Sequence, residues 1–178
     1  MDSFLDLCRA RRSCRNFQNT PVAVEALDRC LEAARLAPSA CNAQPWLFHV
    51  AGPGPAKTGL DQGAFRGAYK MNAFAADAPV IIAVERRRGK ILPRLGGRIR
   101  GTEYSVLDLG IACEHLVLQA AEEGLASCWI GWFDGKAAGE ALGLGPRRRL
   151  ELLIAIGYAA SDPAPLKRRT IEEIRELH

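Results

Sequence analysis

The sequence predicts an α+β fold, and three observations carry that expectation. Four apolar runs of strand length recur, at Trp46–Val50, Pro79–Val84, Ser127–Phe133 and Leu150–Tyr158. Segments with helical apolar spacing stand between and around them. The 178 residues can bury a substantial core, and neither a repeat nor a linker divides them, so 1–178 reads as one domain.

Residues 2–12 read as a helix capped by Asp2 or Ser3, with Phe4, Leu5 and Cys8 on one face. Arg9, Arg11, Arg12 and Arg15 follow around Ser13 and Cys14, and Thr20-Pro21 marks a turn. Val24 to Leu36 places Leu27, Cys30, Leu31 and Ala34 at helical spacing until Pro38 stops it. Next comes Pro38-Ser39-Ala40-Cys41-Asn42-Ala43-Gln44-Pro45-Trp46. Each proline fixes its own φ and biases the residue before it toward extended backbone, so this loop is stiff. It offers Ser39, Asn42, Gln44 and several backbone N–H groups to something outside it. The strand from Trp46 is closed by Gly52-Pro53-Gly54-Pro55.

Within 56–78, Gly59, Gly63 and Gly67 interrupt any long period, while Phe65, Tyr69, Met71 and Phe74 suggest short helical turns. Pro79–Val84 is continuously apolar, as in a strand buried on both faces. Arg86 to Arg100 carries seven cations among glycines and reads as a solvent-exposed loop. Glu103 to Glu123 is the longest helical signal, apolar around most of its circumference and capped by Gly124. A small domain seldom encloses such a helix alone, which predicts a subunit partner. Asp134 caps a short helix ending near Leu142. The tail reads as extended over Asp162-Pro163-Ala164-Pro165, with a last helical turn at 171–177.

Composition excludes several classes. A hydrophobic share of 48% and a charged share of 25% are those of a globular protein, and no apolar run approaches a membrane span. Met1-Asp2-Ser3-Phe4 lacks a secretion-signal pattern, so a cytoplasmic location is expected. The six cysteines form no CxxC pair and share no ligand spacing with His49, His115 or His178; reduced thiols and no metal are expected. The net charge of +4 is modest, and the arginine-rich loop lacks the interleaved aromatics of a nucleic-acid surface.

Two basic clusters remain, Arg11/Arg12/Arg15 with Ser13 and Lys167/Arg168/Arg169. Guanidinium groups hold phosphate through paired hydrogen bonds, and a serine hydroxyl adds another; solvated helix ends are the alternative. Asn42 and Gln44 can equally satisfy their own loop backbone. Trp46, Trp129 and Trp132 read as packing aromatics, and Cys41 and Cys128 as inert small residues.

At this point the residues resemble a known family. Arg11-Arg12-Ser13-Cys14-Arg15-Asn16-Phe17 resembles the N-terminal signature of the nitroreductase family of flavoproteins, and Ala33–Trp46 its second signature. Ala78-Pro79-Val80-Ile81-Ile82 resembles its central strand. Asp108-Leu109-Gly110-Ile111-Ala112 and Gly124–Gly131 resemble its core helix and following strand. Ile154–Tyr158 and Arg168–Ile174 resemble its C-terminal end. The pieces fall in the family's order along nearly the whole chain, and their order is the specific part.

The resemblance implies a central, mainly antiparallel sheet of four to five strands flanked by helices, in an intertwined homodimer. It implies FMN at the subunit interface and ping-pong reduction by NAD(P)H of nitroaromatics, quinones or a related small acceptor. Arg11, Ser13 and Arg168 would hold the FMN phosphate, with Arg12 and Arg169 close by. Arg15 would stand at the pyrimidine edge as an electrostatic stabiliser. Pro38, Ser39, Ala40 and Asn42 would approach from the other subunit, with Asn72 at the ring edge and Ile130-Gly131-Trp132 alongside. No side chain is expected to act as a general acid or base. The same fold also serves reductive dehalogenases and flavin-fragmenting enzymes, and a flavin-binding regulator without turnover is the non-enzymatic alternative. Three departures touch specificity: the short basic stretch at 86–102 shows no lid motif, Leu166 stands where a cation is common, and Trp132 where a small or acidic residue is.

Overall fold

The computed structural model describes residues 3–87, 101–162 and 167–178. Four strands form one sheet in the order β1-β2-β4-β3, every pairing antiparallel. They are β1 (Trp46–Ala51), β2 (Val80–Arg86), β3 (Ala126–Ile130) and β4 (Leu150–Gly157). Of the four to five strands expected, four lie among the described residues. Helices α1 (Phe4–Ala10), α2 (Val24–Arg35), α3 (Pro55–Gly63), α4 (Tyr104–Glu122) and α5 (Gly135–Ala141) cover it.

The strand pattern explains the layering. Successive side chains of a strand point to opposite faces. Val80, Ile82 and Val84 of β2 therefore join Ile154 and Ile156 of β4 against α2 and α4, where Leu27, Cys30, Ala34, Leu109, Cys113, Leu116 and Val117 complete one core. Ile81 and Ala83 turn the other way, with Leu153 and Ala155, toward Leu60, Phe65 and Ala138. Each large apolar side chain so buried contributes about 1.5–3 kcal/mol, which keeps β2 and β4 at the centre.

Several boundaries follow from local chemistry. The Ser3 hydroxyl caps α1 by accepting from the Asp6 N–H at 3.2 Å. Asp134 caps α5 by accepting from the N–H groups of Lys136 and Ala137. Gly124 ends α4 at φ +72, a left-handed conformation that glycine adopts at little cost. Gly59 lies inside α3 and Gly63 is its last residue, and both let the helix approach α5. A Cβ at Gly59 would stand 2.9 Å from the Ala141 Cβ. Residues 67–77 form a 3-10 run kinked at Asn72.

In the isolated chain α4 leaves Val106, Leu107 and Ile111 exposed, in keeping with a helix that a small domain does not enclose alone. One expectation changes. The expected helical turn at 171–177 is a single turn closed by Ile174 N–H donating to the Ile171 carbonyl at 3.2 Å; short peptide helices need packing, and this tail is exposed throughout. The expectations for 88–100, for the extended segment at 163–165 and for Leu166 fall outside the described residues. Among the described residues no helix is long and apolar enough to cross a membrane.

Candidate functional site

The N-terminal basic segment is sewn to the free edge of the sheet. Cys14 N–H donates to the Ser127 carbonyl at 2.9 Å, Gln18 N–H to the Tyr158 carbonyl at 2.8 Å, and Ala160 N–H to the Asn16 carbonyl at 2.9 Å. Pairing in this way covers part of β3, which would otherwise present an open edge. Along this segment Cys14 and Phe17 are buried, while Ser13, Arg15 and Asn16 are exposed. Arg11 is half-buried, its Nε 3.6 Å from Glu114 on α4, and Arg12 Nε donates to the Arg9 carbonyl. Arg11 and Arg12 line a pocket of about 180 Å³ with Ala121, Leu125 and Ser127. That volume is below the ~300–1,000 Å³ of typical ligand sites, so it can hold only part of a cofactor.

The 3-10 run gathers residues distant in sequence. Arg15 lies over the Phe74 ring, its guanidinium carbon 5.9 Å from the centroid. Asn72 Nδ2 donates to the Trp132 carbonyl at 2.8 Å, and Trp132 Nε1 to the Ala68 carbonyl at 3.0 Å. Tyr69 and Trp132 rings stand 5.2 Å apart with planes inclined by 50°. Asn72 thus bonds Trp132 directly, and Arg15 reaches the same 3-10 run at Phe74. Gly131 is exposed between the buried end of β3 at Ile130 and Trp132.

The Pro38 loop docks elsewhere on α4. Asp108, 5% exposed, accepts the Ala40 N–H at 3.0 Å. Ser39 Oγ accepts the Gln44 N–H, and Gln44 Nε2 donates to Asn42 Oδ1, both at 3.0 Å. The loop's polar side chains thus bond within the loop, but it is Ser39 that meets a backbone N–H, while Asn42 and Gln44 pair side chain to side chain rather than with the backbone as one sequence reading expected. Cys41, Asn42 and Gln44 adopt φ of 52, 50 and 46. Left-handed conformations cost non-glycine residues about 1–2 kcal/mol each, so the loop is held against strain. Pro38 is exposed at the end of α2. Asp108 and Glu114, the loop's anchor and the basic segment's, lie six residues apart on α4, roughly 9 Å along its axis.

Arg168 and Arg169 are not brought to Arg11. They are exposed on a tail whose hydrogen bonds are local, such as Arg168 Nη1 to the Lys167 carbonyl and Thr170 N–H to Glu173. The histidines have structural partners: His49 Nε2 is 2.8 Å from Glu85, and His115 Nδ1 3.3 Å from the Ala33 carbonyl. Burial tends to raise the Glu85 carboxyl's pKa, but hydrogen bonds from Arg148 and His49 reverse that and hold it below the usual range. Burial pushes the Cys30 thiol up to about 11 and the Cys113 thiol up to about 12, and raises Cys128, so these thiols stay protonated. Cys41 differs from them in being exposed.

Sequence reasoning missed Asp108 as the loop's anchor and Tyr69 and Ala68 as supports of Trp132. Asp108 had a signal, since it is the single acidic residue in the otherwise apolar stretch Tyr104–Cys113. The backbone acceptor at Ala68 had none, because any residue carries a carbonyl.

The Nitroreductase family model matches residues 8–67 and 56–158, which hold all four strands, the N-terminal basic segment and the Pro38 loop. The chain belongs to the nitroreductase family. A Streptococcus pyogenes serotype M6 protein, provisionally named NAD(P)H nitroreductase Spy0809, is 29% identical over 97% of this chain and 98% of its own. A nitroreductase family protein from Streptococcus pneumoniae TIGR4 superposes with a TM-score of 0.80 at 26% identity, over 99% of this chain and 100% of that one. An FMN-dependent nitroreductase from Clostridium difficile R20291 superposes with a TM-score of 0.71 at 27% identity, covering 92% of each chain. The family's fold and oxidoreductase character thus apply to this chain.

Proposed function

We propose that this nitroreductase-family protein is a homodimeric, FMN-dependent NAD(P)H oxidoreductase that reduces nitroaromatics, quinones or a related small acceptor. The observation that carries this reading is that Asn72 bonds Trp132 directly while Arg15 reaches the same 3-10 run at Phe74. These residues come from three distant parts of the sequence, and the resemblance assigned all three to one flavin.

The donor set suits the cofactor. Arg11 and Ser13, with Arg12 beside them, would hold the phosphate through charge-assisted hydrogen bonds. Glu114 keeps Arg11 oriented without neutralising the whole cluster. The tail's Arg168 and Arg169 would close over the same phosphate once the tail packs. Pro38, Ser39, Ala40 and Asn42 would approach from the other subunit, where the strained loop presents backbone at close range. Exposed Phe4, Leu5, Leu107 and Ile111 supply the apolar surface such a dimer would cover. Bound FMN would supply two-electron chemistry, accepting hydride from the nicotinamide and passing it to the acceptor. Arg15 would stabilise negative charge at the pyrimidine edge, and the Gly131–Trp132 backbone would offer an N–H beside the ring.

Purified protein should be yellow, or become so with added FMN, and should lose its visible flavin absorbance on anaerobic mixing with NADH or NADPH. Colourless protein that takes up no FMN refutes the proposal. Bound flavin that stays oxidised with both nucleotides would instead support the regulatory binder.

A further inference from the structure

Trp132 is 55% exposed, yet it is not a free surface aromatic. Its indole Nε1 donates to the Ala68 carbonyl at 3.0 Å, its own carbonyl accepts from Asn72 at 2.8 Å, and Tyr69 stands against its ring. A core tryptophan would be buried, and a casual surface tryptophan would be unpinned. This side chain is both presented and immobilised, so a ligand meeting its exposed surface pays little ordering entropy. Met71 on the same run is 77% exposed and offers a deformable thioether nearby in sequence. The run also carries Phe74, whose ring lies beneath Arg15 of the proposed flavin site.

We infer that Trp132, braced by Tyr69, is a specificity-determining residue on which planar aromatic acceptors stack. This rests on the proposed function and goes beyond it by assigning acceptor selection to one side chain. A stacked aromatic pair favours a flat π ligand over a saturated one of the same shape class by roughly 2- to 10-fold. The wall therefore selects quinones and nitroaromatics over compact non-aromatic oxidants.

The test titrates FMN-supplemented protein by calorimetry with 2-naphthoate and with its saturated decalin counterpart, reading flavin absorbance in parallel. Wild type should bind the naphthoate about fivefold more tightly, Trp132→Phe should keep part of that preference, and Trp132→Ala should lose it. In turnover, Trp132→Ala should raise the KM for 1,4-naphthoquinone several-fold more than that for ferricyanide. Equal affinities in wild type, or an undiminished preference in Trp132→Ala, overturn the inference while bound, reducible FMN leaves the proposed function standing. Protein that takes up no FMN overturns both.

Discussion

Asp108 offers the sharpest test of how the loop before β1 is held. Its carboxylate is buried and accepts the Ala40 N–H, next to three left-handed residues at 41, 42 and 44. A hydrogen bond to a charged acceptor contributes about 1.5–3 kcal/mol, comparable with the strain of two such residues. Asp108→Ala removes the acceptor and leaves the amide unpaired, so about 2 kcal/mol should be lost. For a domain of this size that lowers Tm by roughly 4–8 °C. If the loop relaxes by the same amount, FMN should bind on the order of 10-fold more weakly or worse. Asp108→Asn keeps an acceptor oxygen at the same place and should restore affinity to within about threefold, the neutral bond being weaker. Thermal unfolding and FMN titration on all three proteins measure both quantities. Wild-type FMN affinity in Asp108→Ala, with Tm lowered as expected, would show that the loop's geometry does not depend on this contact. No difference between the Asn and Ala variants would refute the hydrogen bond as the cause.

Three further outcomes are expected. A Cβ at Gly157 would stand 2.5 Å from Pro79 Cδ and 3.2 Å from Phe17 Cδ1; because the proline ring cannot rotate away, Gly157→Ala should cost about 1–3 kcal/mol in urea unfolding. A cost within about 0.5 kcal/mol, an ordinary surface effect, would show the sheet yielding there. Glu123 receives two hydrogen bonds of 2.6 Å from Arg29, which hold its carboxyl down at about 2 against an ordinary 4.5. Its stabilisation is present above pH 4.5 and is lost as the pH falls toward 2, so Tm should decline more steeply over that window in wild type than in Arg29→Gln. Parallel curves would remove the pair from the acid response. Leu107→Asp places a charge on the exposed apolar face of α4 and should give a monomeric mass by light scattering, with less bound flavin. A dimer that persists would move the interface elsewhere.

Period and punctuation alone were enough for the core. The continuous apolar run from Pro79 to Val84 read as a strand covered on both faces, and the long period ending at Gly124 as a helix with a glycine stop, and the structure has both. Ser3 and Asp134 announced their helices by position, because a cap is a local bond between a side chain and amides two or three residues on. Gly59 and Gly63 were misleading for the opposite reason. Their meaning lies in Ala141 and Ala137, more than seventy residues away, and a local pattern carries no information about that approach. The tail at 171–177, expected as a last helical turn, is exposed throughout the described chain and forms only a single turn.

The candidate site divides along the same line. The sequence by itself determined which residue types could serve: the arginines around Ser13, the proline-bounded loop, Asn72, and Gly131 with Trp132. Only the tertiary structure decided that Asn72 bonds Trp132 while Arg15 reaches the same 3-10 run at Phe74, and that a buried aspartate secures the loop. Those contacts depend on hydrogen-bond distances between segments far apart in the chain. Periodicity reports which face of an element is apolar; it does not report what that face will touch.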